Sequence, residues 1–172
     1  DGQASISRLV DKAMADGMRG MALTDHGNMM GIKDFFNYVS KKKGGAAKDK
    51  KAAEAKLAAL RDGSYQNAPD EKGVNPDAGK THDELIAECE KKIEKAQRIL
   101  DFKPIFGCEM YCARRTKADK KTKEDRSGWH LVVLAKNETG YHNLIKLVSR
   151  SWIDGFYMKP RTDKADLERF KE

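Results

Sequence analysis

Ala22-Leu23-Thr24-Asp25-His26-Gly27-Asn28 sets a carboxylate and an imidazole at the point where an apolar run ends. Residues 18–23 read as a short buried strand and Gly27-Asn28 as the turn that follows, so Asp25 and His26 fall at the strand's C-terminal tip. In α/β folds that tip carries the chemistry. The competing reading is structural, with Asp25 a turn residue that caps a helix beginning near Gly31.

The flanks supply the context. Upstream, residues 6–15 form an amphipathic helix with Leu9, Val10, Ala13 and Met14 facing inward. Downstream, residues 32–42 form a helix carrying Phe35, Phe36 and Val39. Farther on come a strand-like stretch at residues 104–112, a polar loop, a continuous apolar strand at residues 131–135 and a helix at residues 139–151. Helix, strand, helix, strand, strand, helix predicts part of a parallel α/β sheet or barrel.

Between these flanks the composition changes. Residues 44–101 are rich in Ala, Lys, Glu and Asp and hold 11 Lys/Arg against 12 Asp/Glu, so the net charge of +7 belongs to the rest of the chain. Residues 46–61 and 83–100 are strong helix formers joined by a Gly/Pro/Asn-rich stretch at residues 63–80, which predicts a helical hairpin over residues 44–100. Its second helix presents Ile86, Cys89, Ile93, Ala96 and Leu100 as a narrow seam. That seam is expected to pack on Ala53, Leu57 and Leu60, with the connection fraying. Acids cancel bases here, so the charge runs read as solvated helix faces.

The 172 residues suit one domain, and 39% hydrophobic with 35% charged residues is a globular composition, although a mean hydropathy of -0.77 is low. No apolar run approaches the roughly 18 residues of a membrane span and no signal-peptide pattern opens the chain, so a cytoplasmic location is expected. Cys89, Cys108 and Cys112 are odd in number and lack a Cys-x-x-Cys pair, which makes them core thiols rather than disulfides or a zinc knuckle. Asp1-Gly2 is a turn signal that normally follows a strand, so the chain reads as starting partway through a fold.

Several segments in order then carry a resemblance. They are Asp1-Gly2; Leu23 to Asn28 with Gly31 and Phe35; Lys103-Pro104-Ile105-Phe106-Gly107-Cys108-Glu109-Met110-Tyr111; His130-Leu131; Leu134 to Asn137; Thr139-Gly140-Tyr141; Asn143-Leu144; and Gly155-Phe156-Tyr157-Met158-Lys159-Pro160-Arg161. Together they resemble the PHP (polymerase and histidinol phosphatase) domain that opens the alpha subunit of bacterial replicative DNA polymerase III. The last of them favours the polymerase branch over free-standing PHP phosphatases.

The resemblance implies a distorted, TIM-like barrel, here partial across residues 1–172, with residues 44–100 as an inserted helical hairpin. It implies Asp1, His26, Glu109 and His130 as metal ligands, with Asp25 as a ligand or support and Asp25, His26 and Glu109 as the catalytic group. Imidazoles mixed with carboxylates suit zinc or manganese, and magnesium would serve the polymerase as a whole. The family's His-x-His motif before Asp1 and its Cys and Asp-x-His motifs after Glu172 are absent, so the chain reads as truncated at both ends and weak in metal binding alone. The implied function is a metal-dependent phosphodiesterase of 3′–5′ exonuclease type within a DNA-directed DNA polymerase (a nucleotidyltransferase), with DNA, the clamp and the proofreading subunit as partners. The alternatives are a free-standing phosphatase and a vestigial module with an interaction role.

Read on the residues themselves, Glu109 lies between Cys108 and Met110 in an apolar strand, where an unpaired carboxylate is costly. His130 opens its strand; His82 is an exposed residue beside a Thr81 cap; His142 is surface or packing; Trp129, Trp152 and Phe156 are packing residues. Arg114, Arg115, Lys117, Lys120, Lys121, Lys123 and Arg126 form a basic loop between the two ligand strands, suited to a DNA backbone.

Overall fold

The computed structural model describes residues 4–69, 73–126 and 128–171. Helix α1, Ile6–Ala15, has the predicted bounds and starts where the Ser5 side chain accepts a hydrogen bond from the backbone N–H of Arg8. Val10 and Ala13 are buried, whereas Leu9 is exposed, so its buried stripe is narrower than the sequence suggests. Strand β1, Gly20–His26, runs three residues beyond Leu23 and takes Asp25 and His26 into the sheet.

Helix α2 runs unbroken over Ile32–Asp62, so the composition change at Gly44 marks no boundary. Each interior glycine costs about 1 kcal/mol of helix propensity, but packing on both sides of Gly44-Gly45 outweighs this. Phe35 and Val39 are buried on the N-terminal side, and Ala46, Ala53, Leu57 and Leu60 on the C-terminal side. Helix α3, His82–Asp101, starts at a Thr81–Glu84 capping box and returns antiparallel to α2. Lys50 bonds Gln97 at 2.7 Å near the hairpin's base, and His82 Nε2 meets the Leu60 carbonyl at 2.8 Å near its tip. The buried α3 positions are Leu85, Cys89 and Ala96; Ile86, Ile93 and Leu100 are only partly covered, and Leu85 is the core residue the predicted seam lacked. Among the described connection residues, buried Asp77 accepts from Lys56 Nζ at 2.6 Å and from the Tyr65 hydroxyl, which anchors a segment expected to fray.

Strand β2, Lys103–Ala113, is central. β1 pairs with it in parallel from Gly20↔Lys103 to His26↔Glu109. Strand β3, Gly128–Leu134, pairs on its other side, antiparallel, from Gly107↔Leu134 to Ala113↔Gly128. The sheet is therefore mixed rather than parallel. Among the described residues, the β2–β3 connection contains only a 3-10 turn, Glu124–Arg126, and lacks the crossover helix that usually returns a parallel strand. Helix α4, Glu138–Ile153, follows; then the short strand β4, Arg161–Thr162, adds in parallel to β2 at Tyr111 and Cys112; helix α5, Lys164–Phe170, closes the described chain. No described helix is long and apolar enough to cross a membrane.

Strand alternation splits the sheet into two faces. Met21, Leu23, Phe106, Cys108, Met110 and Val133 face the helices, where they pack with Val10, Phe35, Val39 and Phe102 and with Leu144, Leu147 and Val148. On the other face lie His26, Ile105, Glu109, His130, Val132 and Leu134. Val132 is 54% exposed and Leu134 49%, so the apolar run of β3 is not a buried strand.

Candidate metal centre

The triad follows from strand register. In the parallel β1–β2 pair, His26 lies directly across from Glu109, and both end up on the uncovered face. In the antiparallel β2–β3 pair, His130 is opposite Tyr111 and therefore diagonal to Glu109 on the same face. His130 is the third residue of β3 rather than its opening residue, which is why it projects onto the sheet.

Glu109 stands between the two imidazoles. One carboxylate oxygen contacts His130 Nδ1, and the other lies 3.4 Å from His26 Nδ1. The two rings meet edge to face with centroids 6.4 Å apart, and one ligand-type atom from each of the three residues falls within 4.8 Å of the other two. Both imidazoles are about half exposed and the carboxylate is more enclosed, so the cluster opens toward solvent.

The support around the triad is specific. Tyr111 sets its ring edge to face against His130, centroids 5.0 Å apart, and Lys159 Nζ lies 4.3 Å from the Tyr111 ring centre. Gly27 has a φ of 64° and donates its N–H to the Glu109 carbonyl at 2.8 Å. A Cβ there would lie 2.8 Å from Pro160 Cγ and 3.2 Å from Tyr111, so only glycine fits this turn without displacement. Trp152 Nε1 donates to the Gly27 carbonyl at 2.8 Å and clamps the turn from the other side.

Asp25 alternates away from the triad. Its carboxylate accepts the Gly31 N–H at 2.9 Å on the helix face, where it fastens the turn between β1 and α2. Asp1 lies outside the described residues. Burial pushes the Cys108 thiol up to about 11, and its S–H points at the Asp25 carbonyl, 3.4 Å away, so it is protonated packing at neutral pH. Cys89 and Cys112 are likewise buried free thiols. His82, the first residue of α3, and His142, in α4, do not belong to the cluster.

The basic loop is largely tied down. Arg115 holds both oxygens of buried Asp125 at 2.9 Å, Lys117 pairs with buried Asp166, and Lys120 Nζ donates to the Asp154 carbonyl at 3.1 Å. Arg114 lies 4.5 Å from the centre of the exposed Trp129 ring, which therefore flanks the loop rather than filling a core. The side chains of Lys121, Lys123 and Arg126 are exposed without a partner among the described residues. Beneath the loop Arg161, fully buried, donates to the carbonyls of Lys117 at 2.9 Å, Asp119 at 3.1 Å, Asp125 at 2.7 Å and Gly155 at 3.2 Å. Its importance had little signal in the sequence, because a two-residue strand shows no periodicity.

Two imidazoles and a carboxylate brought together on three strands make a donor set that suits a divalent cation. Residues 1–172 match the PHP domain family from end to end. The chain belongs to the PHP domain family. The DNA polymerase III alpha subunit of Borreliella burgdorferi is 33% identical over the whole of this PHP domain, and that of Treponema pallidum is 31% identical, also over the whole. The alpha subunit of Thermus aquaticus is 43% identical over 42% of the chain. The chain spans about 10% of the length of the Borreliella and Treponema proteins, so it corresponds to their PHP region alone.

Proposed function

We propose that this PHP domain holds a divalent metal ion at His26, Glu109 and His130 and acts on a phosphodiester of a DNA strand, as part of a replicative DNA polymerase. The observation that carries the reading is the Glu109 carboxylate set between two imidazoles on an open sheet face.

The donor set fits a borderline cation. Two neutral imidazoles and one carboxylate suit zinc or manganese better than magnesium, which prefers oxygen ligands. Such an ion supplies charge stabilisation at a phosphodiester oxygen and activation of water. The chain's own residues do the rest. Glu109 offsets positive charge and orients both imidazoles through its two oxygens; Asp25 and Gly27 fix the turn that aims His26; Tyr111 braces the His130 ring. Lys121, Lys123 and Arg126, with Arg114 beside Trp129, offer cations to the DNA backbone next to the cluster. Arg115 and Lys120 act through the loop's shape.

The wider reading follows the relatives' name. The domain serves a nucleotidyltransferase that works with magnesium in the cytoplasm, alongside clamp and proofreading subunits. The strands and helices form part of a distorted barrel, with residues 44–100 as an inserted helical hairpin and Asp1 joining the ligands. Zinc or manganese titration followed by elemental analysis tests the site, with hydrolysis of a single-stranded oligonucleotide as the activity readout. His26→Ala and Glu109→Ala are expected to lose metal and His82→Ala to keep it. Equal metal content in Glu109→Ala and the parent would overturn the assignment.

A further inference from the structure

Trp152 and Phe156 stack with ring centroids 5.6 Å apart and planes 18° from parallel, yet they remain 47% and 46% exposed. Neither fills a core, contrary to the packing role expected from sequence. Trp152 is fixed by its indole N–H on the carbonyl of Gly27, the residue after His26. Phe156 begins the segment that carries Lys159 over Tyr111, and Tyr111 touches His130. The stack is thus joined to His26 through Gly27 and to His130 through Lys159 and Tyr111. Two cations attach to the same stretch of chain: Lys159, three residues after Phe156, and Lys120, which bonds the Asp154 carbonyl two residues after Trp152. The Asp154 carboxylate is drawn off by Arg150 at 3.2 Å.

We propose that the Trp152–Phe156 stack is a base-holding subsite: it takes a nucleobase of a single nucleic-acid strand and thereby presents that strand's phosphodiester to the His26–Glu109–His130 cluster. The inference rests on the metal-site reading for its purpose, but the stacking itself needs no metal. Exposed aromatic faces interleaved with cations bind single strands because every base has a π-face and every nucleotide an anionic link. A protein partner would use the apolar area equally well but has no need of the cations placed toward the triad.

Trp129 and Trp152 are the two tryptophans of the sequence, so Trp129→Phe leaves Trp152 as the sole indole reporter. That chain, stripped of metal with EDTA, is titrated with oligothymidylate, with the same strand carrying one abasic site at its 3′ end, and with thymidine monophosphate. Oligothymidylate is expected to quench Trp152 saturably, the abasic strand to bind at least about tenfold more weakly, and the mononucleotide roughly a hundredfold more weakly for want of flanking phosphates. Phe156→Leu, which breaks no hydrogen bond, is expected to weaken the strand about tenfold. His26→Ala is expected to leave quenching intact while metal binding is lost, which separates failure of the metal reading from failure of this one. Unchanged Trp152 emission at saturating strand, or equal affinity for the abasic strand, would overturn the subsite. Equal potency of the mononucleotide would overturn its assignment to a strand.

Discussion

On β2, Phe106, Cys108 and Met110 point toward the helices while Ile105, Glu109 and Tyr111 point away from them. The first set has the covering it needs and is inert. Of the second set, Ile105 and Glu109 reach solvent beside the half-exposed Val132 and Leu134, Tyr111 is buried beneath Lys159, and Glu109 carries the triad with His26 and His130. One alternating strand therefore serves two purposes, and the helices decide which side is which. A site residue such as Glu109 is tolerable in an apolar strand because it alternates onto the face without helices, where water or a cation can reach it.

The largest expected contrast is in stability. Met110 is fully buried, so Met110→Ala should cost about 2–5 kcal/mol, whereas Val132→Ala should cost under about 1 kcal/mol. Urea unfolding followed by far-ultraviolet circular dichroism gives both values. Equal losses would mean that the two faces are not energetically distinct. Gly155→Ala extends the comparison to the rim, because a Cβ there would lie 1.9 Å from the Arg161 carbonyl and displace the residue that holds the basic loop. It should destabilise at least as much as Met110→Ala.

Metal addition should sharpen the same comparison from the open side. A ligand that binds only the folded state stabilises it by about 2.7 kcal/mol at roughly a hundredfold excess over its Kd. Zinc should therefore raise the thermal midpoint of the parent and of His82→Ala but not of Glu109→Ala, and EDTA should reverse the gain. The same zinc response from Glu109→Ala would place the binding elsewhere.

Within the β2–β3 loop the contrast is between spent and unspent cations. Arg115 and Lys117 are engaged with buried carboxylates, while Lys121, Lys123 and Arg126 are not. Changing the last three to Ser should flatten the salt dependence of oligonucleotide binding by about 2 log units per decade of salt. Changing Arg115 alone should leave that slope nearly as it was while loosening the loop, read as faster amide exchange at residues 119–125. An unchanged slope in the triple variant would assign the loop to solvent.

Legibility in the sequence tracked the range of the determining contacts. Helix α1 and the start of α3 were readable because caps and apolar spacing are local, at Ser5 and at Thr81 with Glu84. The β1 tip with His26 and the strand around Glu109 were readable for the same reason. The end of α2 was misplaced because Gly44-Gly45 breaks helices locally and only contacts with α3 carry the helix through. The antiparallel direction of β3 depends on what its connection lacks, and its start at Gly128 depends on pairing with Ala113, so neither that direction nor the place of His130 inside the strand is legible from the apolar run at residues 131–135. Neither the face on which Asp25 falls nor the carbonyl cage of Arg161 has a sequence signature, since both depend on residues far apart in the chain.

The smallest effect lies in the helical pair, away from both sheet faces. Lys80 first and Lys92 second hold the Glu88 carboxyl down at about 2 from the usual 4.5. A carboxyl depressed by folding contributes stability that is fully present above the unfolded value and is lost as pH falls through the folded one. For Glu88 that window runs from about pH 4.5 down to about 2. Glu88 and Lys80 are about a third exposed and Lys92 more than half, so screening keeps the contribution small. Thermal midpoints of the parent and Glu88→Gln should differ slightly at pH 6 and converge as pH falls from about 4.5 toward 2, the difference shrinking further in about 1 M salt. If the two profiles stay parallel across that range, Glu88 is not titrating against its lysines. The acid sensitivity of the molecule then lies in the buried carboxylate of Asp125 under the basic loop, which the Thr122 N–H and the Arg115 guanidinium hold well below the usual carboxylate range.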